Sequence, residues 1–134
     1  MYMFDTNICI YIIKKKTSKI LEKIKENRHK GLYISSITLA EMEFGNANAA
    51  VLYKDKNKIA LMEFLTIITV KHFDEKAASE YGLLKKDLKD RNCLIGPFDM
   101  LIGAHAKSLD MILVTNNEDE FKRIKDLRIE NWVL

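Results

Sequence analysis

The stretch Tyr2-Met3-Phe4-Asp5-Thr6-Asn7 decides the fold. Three apolar residues are too few for a helix and halt at an acid, and from Asn7 onward the sequence has helical character into Lys14-Lys15-Lys16. A short buried strand therefore feeds a helix directly. The same unit returns. Ser18 can cap a helix with Ile20, Leu21 and Ile24 on one side and lysines on the other. Gly31 ends it, and Leu32-Tyr33-Ile34-Ser35 reads as a second strand. Helical patterns follow from Leu39 and from about Ala49 to Leu65, and β-branched Ile67-Ile68-Thr69-Val70 is a third strand. Asp74 opens an amphipathic helix to about Arg91, and Pro97 suits the first turn of another that ends near Lys107. Met111-Ile112-Leu113-Val114 is a fourth apolar run that stops at Thr115-Asn116-Asn117. A short helix around Phe121 and an edge strand at Arg128-Ile129-Glu130 complete the pattern. Alternating strands and helices predict an α/β domain with a mainly parallel central sheet flanked by helices.

Composition agrees. A chain of 134 residues suits one domain, 48% hydrophobic and 31% charged residues are globular values, and one Pro and five Gly leave no room for a flexible linker. The apolar run Ile8–Ile13 is too short to span a bilayer, and its flanking charges are the reverse of a signal peptide's, so the chain reads as cytoplasmic with no membrane partner. Cys9 and Cys93 lack metal-site spacing and read as free thiols. The net charge of +3 is mild but uneven: Lys14 to Lys30 holds eight basic and two acidic residues, +6, leaving −3 for the remainder. Such a stretch is either a solvated helix face or a rim for a phosphate backbone.

In parallel α/β sheets ligands bind beyond the carboxyl ends of the strands. Asp5, the Ser36–Glu41 segment and Asn116-Asn117 fall there, and Asp99 stands near the start of the Pro97 helix. Each has a structural explanation: Asp5 and Asn7 as N-caps, Thr38 with Glu41 as a capping box, Asp99 as a first-turn acid, and Asn117 with Glu120 at box spacing. Capping does not require all of them to border one sheet edge, so the conjunction favours a site. Converging carboxylates with no basic neighbour need a shared cation or protons, and hard oxygen donors select Mg²⁺ or Mn²⁺. His29, His72 and His105 have no partner at metal spacing, and His105, six residues after Asp99, reads as helix packing or surface. Serine-nucleophile motifs, a phosphate-binding glycine loop and a dinucleotide fingerprint are absent. The remaining class is a Mg²⁺-dependent phosphoryl enzyme.

Four segments carry a resemblance: M-x-M-F-D-T-N-I-C-I at the start, I-S-S-I-T-L-A-E-M-E-F-G, G-P-F-D-M-L-I-G-A-H-A, and V-T-N-N-E-D-E-F. In this order they resemble the four motifs of PIN-domain ribonucleases, and more narrowly the VapC toxins of VapBC toxin–antitoxin pairs. The resemblance implies one PIN domain over residues 1–134, with Asp5, Glu41 and Asp99 as the acidic catalytic set and Asp5 and Asp99 as the main Mg²⁺ ligands. Mn²⁺ can substitute. Many PIN domains carry a further aspartate where this chain has Asn117, with Glu120 nearby to supply charge; Thr6, Asn7 and Thr115 match supporting hydrogen-bonders. The implied activity is endoribonucleolytic hydrolysis leaving a 5′-phosphate and a 3′-hydroxyl. The G-P-F-D run and the R-I-E-N-W ending are similar to the group that cuts initiator tRNA in its anticodon loop. Lys14, Lys15 and Lys16 would form the RNA-binding rim, and the implied partners are a VapB-type antitoxin and a second copy in a homodimer.

Two rivals differ in class. A haloacid-dehalogenase-type phosphatase also places an Asp after its first strand, but it wants a second Asp where Asn7 stands. A non-catalytic RNA- or protein-binding module with an acidic crevice is favoured by the neutral Asn117.

Overall fold

The computed structural model describes residues 1–15 and 17–133. Five strands form a wholly parallel sheet: β1 (Tyr2–Phe4), β2 (Leu32–Ser35), β3 (Thr69–Lys71), β4 (Ile112–Val114) and β5 (Ile129–Glu130), in the order β3-β2-β1-β4-β5. The helices are α1 (Thr6–Lys15), α2 (Ser18–Asn27), α3 (Ser36–Ala47), α4 (Val51–Phe64), α5 (Glu75–Asp90), α6 (Pro97–Ser108) and α7 (Glu118–Phe121). A 3-10 turn, Arg28–Lys30, closes α2. The expectation of a mainly parallel sheet holds, and β5 too runs parallel.

Period-two alternation along the strands builds two cores. Tyr2 and Phe4 of β1 and Val114 of β4 face Ile8, Ile20, Phe64 and Trp132, while Met3 and Leu113 face Leu88, Ile102 and Phe121 on the other side. Trp132 is buried and meets Tyr2 and Phe4 edge-on, with ring centroids 5.0 and 5.3 Å away. This seats the R-I-E-N-W segment beneath β1. Cys9 is buried and Cys93 half-buried, both free as expected. Among the described residues, no helix is long and apolar enough to cross a membrane.

Element boundaries moved where capping differed from expectation. Thr17, not Ser18, precedes α2. Asp74 caps α5 as predicted, accepting from Ala77 N–H at 3.0 Å. The third strand is Thr69–Lys71, and Ile68 packs in the core before it. The largest shift is at α3, which begins at Ser36 rather than Leu39 because Ser35 Oγ accepts from Ile37 N–H at 3.1 Å.

The chain lays β2 and β3 to one side of β1, then β4 and β5 to the other. The order reverses between β1 and β4, and in sheets of this kind ligands bind beyond the strand ends at such a seam.

Candidate active site

Asp5 follows β1 at the seam and is only 2% exposed. One carboxylate oxygen, Oδ1, accepts from Ile8 N–H at 2.8 Å, so Asp5 does cap α1. The other, Oδ2, accepts from the Thr115 hydroxyl at 2.5 Å, across from the end of β4. Burial raises its pKa, the Thr115 and Ile8 bonds pull it down less, and the charge of Glu41 pushes it up further. A capping residue alone would be left in solvent; this one is sealed beside another acid.

The early start of α3 overturns the Thr38–Glu41 capping box. Thr38 lies within the helix, fully buried, with its hydroxyl 3.2 Å from that of Thr6. Thr6 donates to Glu41 Oε1 at 2.6 Å, so the Thr38 hydroxyl is the donor to Thr6. The Glu41 carboxylate is thereby turned toward the start of α1, where its charge acts on Asp5.

Pro97 occupies the first turn of α6 as predicted, with Asp99 half-buried in the same turn. Burial, then the charges of Asp5, Glu120 and Glu41, together with a hydrogen bond to Glu120, push the Asp99 carboxyl up to about 6. No lysine, arginine or histidine is among the groups that shift Asp5 or Asp99. Asn117 Nδ2 donates to Glu120 Oε2 at 2.9 Å, and Asn117 N–H donates to Thr115 Oγ1 at 2.9 Å. Glu120 therefore joins Asp5, Glu41 and Asp99 as the fourth acid of the cluster, with Asn117 holding it.

The remaining candidates separate. Asn7 is exposed in the first turn of α1 rather than at its cap, and it makes no side-chain hydrogen bond among the described residues. Lys14 is exposed and shares with Glu41 the wall of a groove of about 200 Å³ between α1, α3 and α4. The side chain of Lys15 and all of Lys16 lie outside the described residues.

All donors in the cluster are oxygens and all its charges negative, which fits a hard divalent cation. Among the described residues no three His, Cys, Asp or Glu side chains stand close enough to enclose an ion.

The buried polar or charged residues among those described are Asp5, Thr6, Ser35, Thr38, His105 and Thr115. All but His105 lie at or just past the carboxyl ends of β1, β2 and β4. Sequence reasoning located Asp5, Thr6 and Thr115 but missed the roles of Ser35 and Thr38, because the helix start was placed three residues late. The doublet Ser35-Ser36 directly after an apolar run was the available signal for an earlier cap.

The PIN domain family model matches residues 2–127. The chain is 41% identical to Ribonuclease VapC2 of Haemophilus influenzae over 98% of both chains. It is 37% identical to the tRNA(fMet)-specific endonuclease VapC of Shigella flexneri, over 98% of this chain and 97% of that one. In three dimensions it superposes on a chain of Rickettsia felis VapBC2, crystallised on a promoter DNA fragment, with a TM-score of 0.93, 37% identity and 98% coverage of both. With motif order, topology and the acidic seam in agreement, the chain belongs to the PIN-domain family and, within it, to the VapC ribonucleases of toxin–antitoxin systems.

Proposed function

We propose that the protein, acting as one PIN domain over residues 1–134, is an endoribonuclease that hydrolyses phosphodiester bonds at the Asp5–Glu41–Asp99 cluster with a divalent cation, Mg²⁺ or Mn²⁺. The observation that carries this is Asp99, half-buried and pushed up to about 6 by burial and by Asp5, Glu120 and Glu41, with no basic group in compensation. Such an arrangement is costly at neutral pH unless a cation shares it.

Asp5 and Asp99 would hold the ion. Thr115 and Ile8 N–H each occupy one direction on the Asp5 oxygens and fix the carboxylate, leaving other lone pairs for coordination. When bound, a hard divalent cation supplies charge neutralisation at the scissile phosphate and acidifies water. Glu41, pinned through Oε1 by Thr6, presents Oε2 to orient the attacking water and take its proton. Water oxygen adds to phosphorus, the bond to the 3′-oxygen breaks, and the proton lost from water is balanced by one gained at that oxygen. The products are a 5′-phosphate and a 3′-hydroxyl.

Initiator tRNA, cut in the anticodon loop, is the proposed substrate, in line with the name of the Shigella flexneri relative. Lys14, with Lys15 and Lys16, would carry the RNA backbone along the groove wall that Glu41 shares. A VapB-type antitoxin is the proposed partner, supported by the VapBC complexes among the solved relatives, and a homodimer is the proposed assembly. The phosphatase alternative loses support because Asn7 is exposed and neutral. Against a binding module stand relatives named as ribonucleases.

The test is Glu41→Gln in a Mg²⁺-titrated RNA cleavage assay. Because Gln can still accept the Thr6 hydrogen bond and one charge leaves a repelling cluster, the variant melts no lower than the parent, while cleavage falls by about 10²–10⁴-fold. Wild-type turnover would leave a site of two acids.

A further inference from the structure

His105 is 1% exposed in the last turn of α6, six residues beyond Asp99. Its Nδ1 lies 2.7 Å from Ser35 Oγ, the same oxygen that caps α3 by accepting from Ile37 N–H. The backbone of His72 hydrogen-bonds the ring from the segment between β3 and α5, and the Phe73 ring meets it edge-on with centroids 5.4 Å apart. Phe73 N–H in turn donates to Ser36 Oγ at 3.0 Å. The ring thus stands where α6, the start of α3 and the β3–α5 turn meet. The first carries Asp99 and the second carries Thr38 and Glu41.

Ser35 Oγ accepts from Ile37 N–H and still has its own proton to offer, so it can donate to Nδ1 of a neutral ring that carries its proton on Nε2. The charged groups acting on the ring are Asp74, which favours its protonation, and Lys71, which opposes it. Burial outweighs both and lowers the pKa, so the neutral form prevails at pH 7.

We infer that His105 is a positioning residue for the cleavage reaction: as a neutral acceptor for the Ser35 hydroxyl, it locks the N-terminus of the Glu41 helix to the Asp99 helix. Glu41 and Asp99 stand on different helices, and among the described residues no hydrogen bond joins the two carboxyls directly. Their spacing depends on how α3 and α6 are fixed to each other. Loss of the link lets α3 shift or rotate, carrying the Glu41 carboxylate from the water it orients. Displacements of about 1 Å in such geometry cost on the order of 10²-fold in rate.

This inference rests on the acidic-site reading, and the experiment separates the two. His105→Phe fills the same volume without an acceptor, whereas His105→Asn places an amide oxygen where Nδ1 was. Initiator tRNA cleavage is measured for both, with kcat and KM resolved, beside thermal melts and ¹⁵N NMR of the imidazole in the unmodified protein. The expected result is a fall in kcat of about 10- to 100-fold in His105→Phe with KM near the parent's. His105→Asn recovers most of it, and the ¹⁵N shifts report a neutral ring protonated at Nε2. Ser35→Ala combined with His105→Phe costs no more than the larger single effect, since both break one link. Parental kcat in folded His105→Phe overturns the inference, as does equal impairment of the Asn and Phe variants. Should His105→Phe not fold, the Asn variant and the tautomer still decide, and a ring charged at neutral pH overturns it. Asp99→Asn serves as the control. Inactive Asp99→Asn beside fully active His105→Phe refutes only the positioning role, whereas parental cleavage by Asp99→Asn refutes the acidic site and this inference with it.

Discussion

The Thr115 hydroxyl donates to Asp5 Oδ2 at 2.5 Å, tying the end of β4 to the end of β1 across the point where the strand order reverses. The bond opposes the upward push that burial gives this carboxylate's pKa, and it sets the direction of one of its oxygens. Thr115 also accepts from Asn117 N–H, so one buried hydroxyl organises both the first and the last of the acidic motifs.

Thr115→Val keeps the shape and removes the hydroxyl. Asp5 loses the strongest contribution that lowers its pKa, which therefore rises further. The variant is expected to lose about 1–3 kcal/mol at pH 7 in chemical denaturation, the cost of leaving a buried charged group short of a partner. Its cleavage rate should begin to fall at a higher pH than the parent's, whereas Thr115→Ser should match the parent in both measurements.

The acid cluster makes stability depend on pH in a direction opposite to ordinary acid denaturation. Asp99 binds its proton more tightly folded than unfolded, with about 6 against an ordinary value of 3.8, and Asp5 is shifted the same way. Their stabilising effect is full below about pH 4 and is lost as pH rises through 6. In metal-free buffer the melting temperature should climb as pH falls from 7.5 to 5. Asp99→Asn should flatten the climb and raise stability at pH 7.5, by about 1 kcal/mol once solvent screening of a half-exposed group is allowed for. Adding Mg²⁺ at pH 7.5 should stabilise the parent and leave Asp99→Asn unchanged; equal stabilisation of both would place the ion elsewhere.

The fold was legible because strand and helix signals were local and alternated without a break. Apolar runs of three or four residues ending in Asp5, Ser35 or Thr115 could only be buried parallel strands, and Pro97 and Asp74 marked helix starts by their backbone and side-chain chemistry. The acids at the strand ends were legible for the same reason, since topology alone brings those ends together. Hidden from view were the contacts between distant elements: Thr6 with Glu41, thirty-five residues apart, and His105 with Ser35, seventy apart. The capping-box spacing at Thr38 and Glu41 was genuine in sequence, but Ser35 caps the helix three residues earlier, where a buried serine satisfies the first-turn N–H. Local pattern cannot rank two candidate caps when tertiary packing supplies the difference.

The basic rim is tested at Lys14, which borders the groove beside Glu41. Lys14→Glu should weaken RNA binding and reduce the log–log salt slope by about 0.7–0.9 for the lost phosphate contact. Cleavage of a dinucleotide too short to reach the rim should hold at the parental rate. Equal losses on long and short substrates would show that Lys14 supports the site itself and not the RNA backbone.

The last prediction decides between Asn117 and Glu120 as the residue serving the fourth motif. Asn117 spends its amide N–H on Glu120 Oε2, and Glu120 is the group whose charge and hydrogen bond act on Asp99. Glu120→Gln should therefore lower the Asp99 pKa toward the ordinary carboxylate range and shift half-maximal Mg²⁺ activation upward, by about 10-fold if it behaves as other groups that orient metal ligands do. Asn117→Asp does something different. It replaces a donor at 2.9 Å from Glu120 with a second carboxylate, so the new charge repels Glu120 and gains metal affinity only by disturbing the group that already faces Asp99. Its Mg²⁺ curve should move less than that of Glu120→Gln, and Mn²⁺ binding measured calorimetrically without RNA should rank the two variants in the same order. A large shift to lower Mg²⁺ in Asn117→Asp, with Glu120→Gln unchanged, would return the fourth role to position 117 and reduce Glu120 to a surface acid.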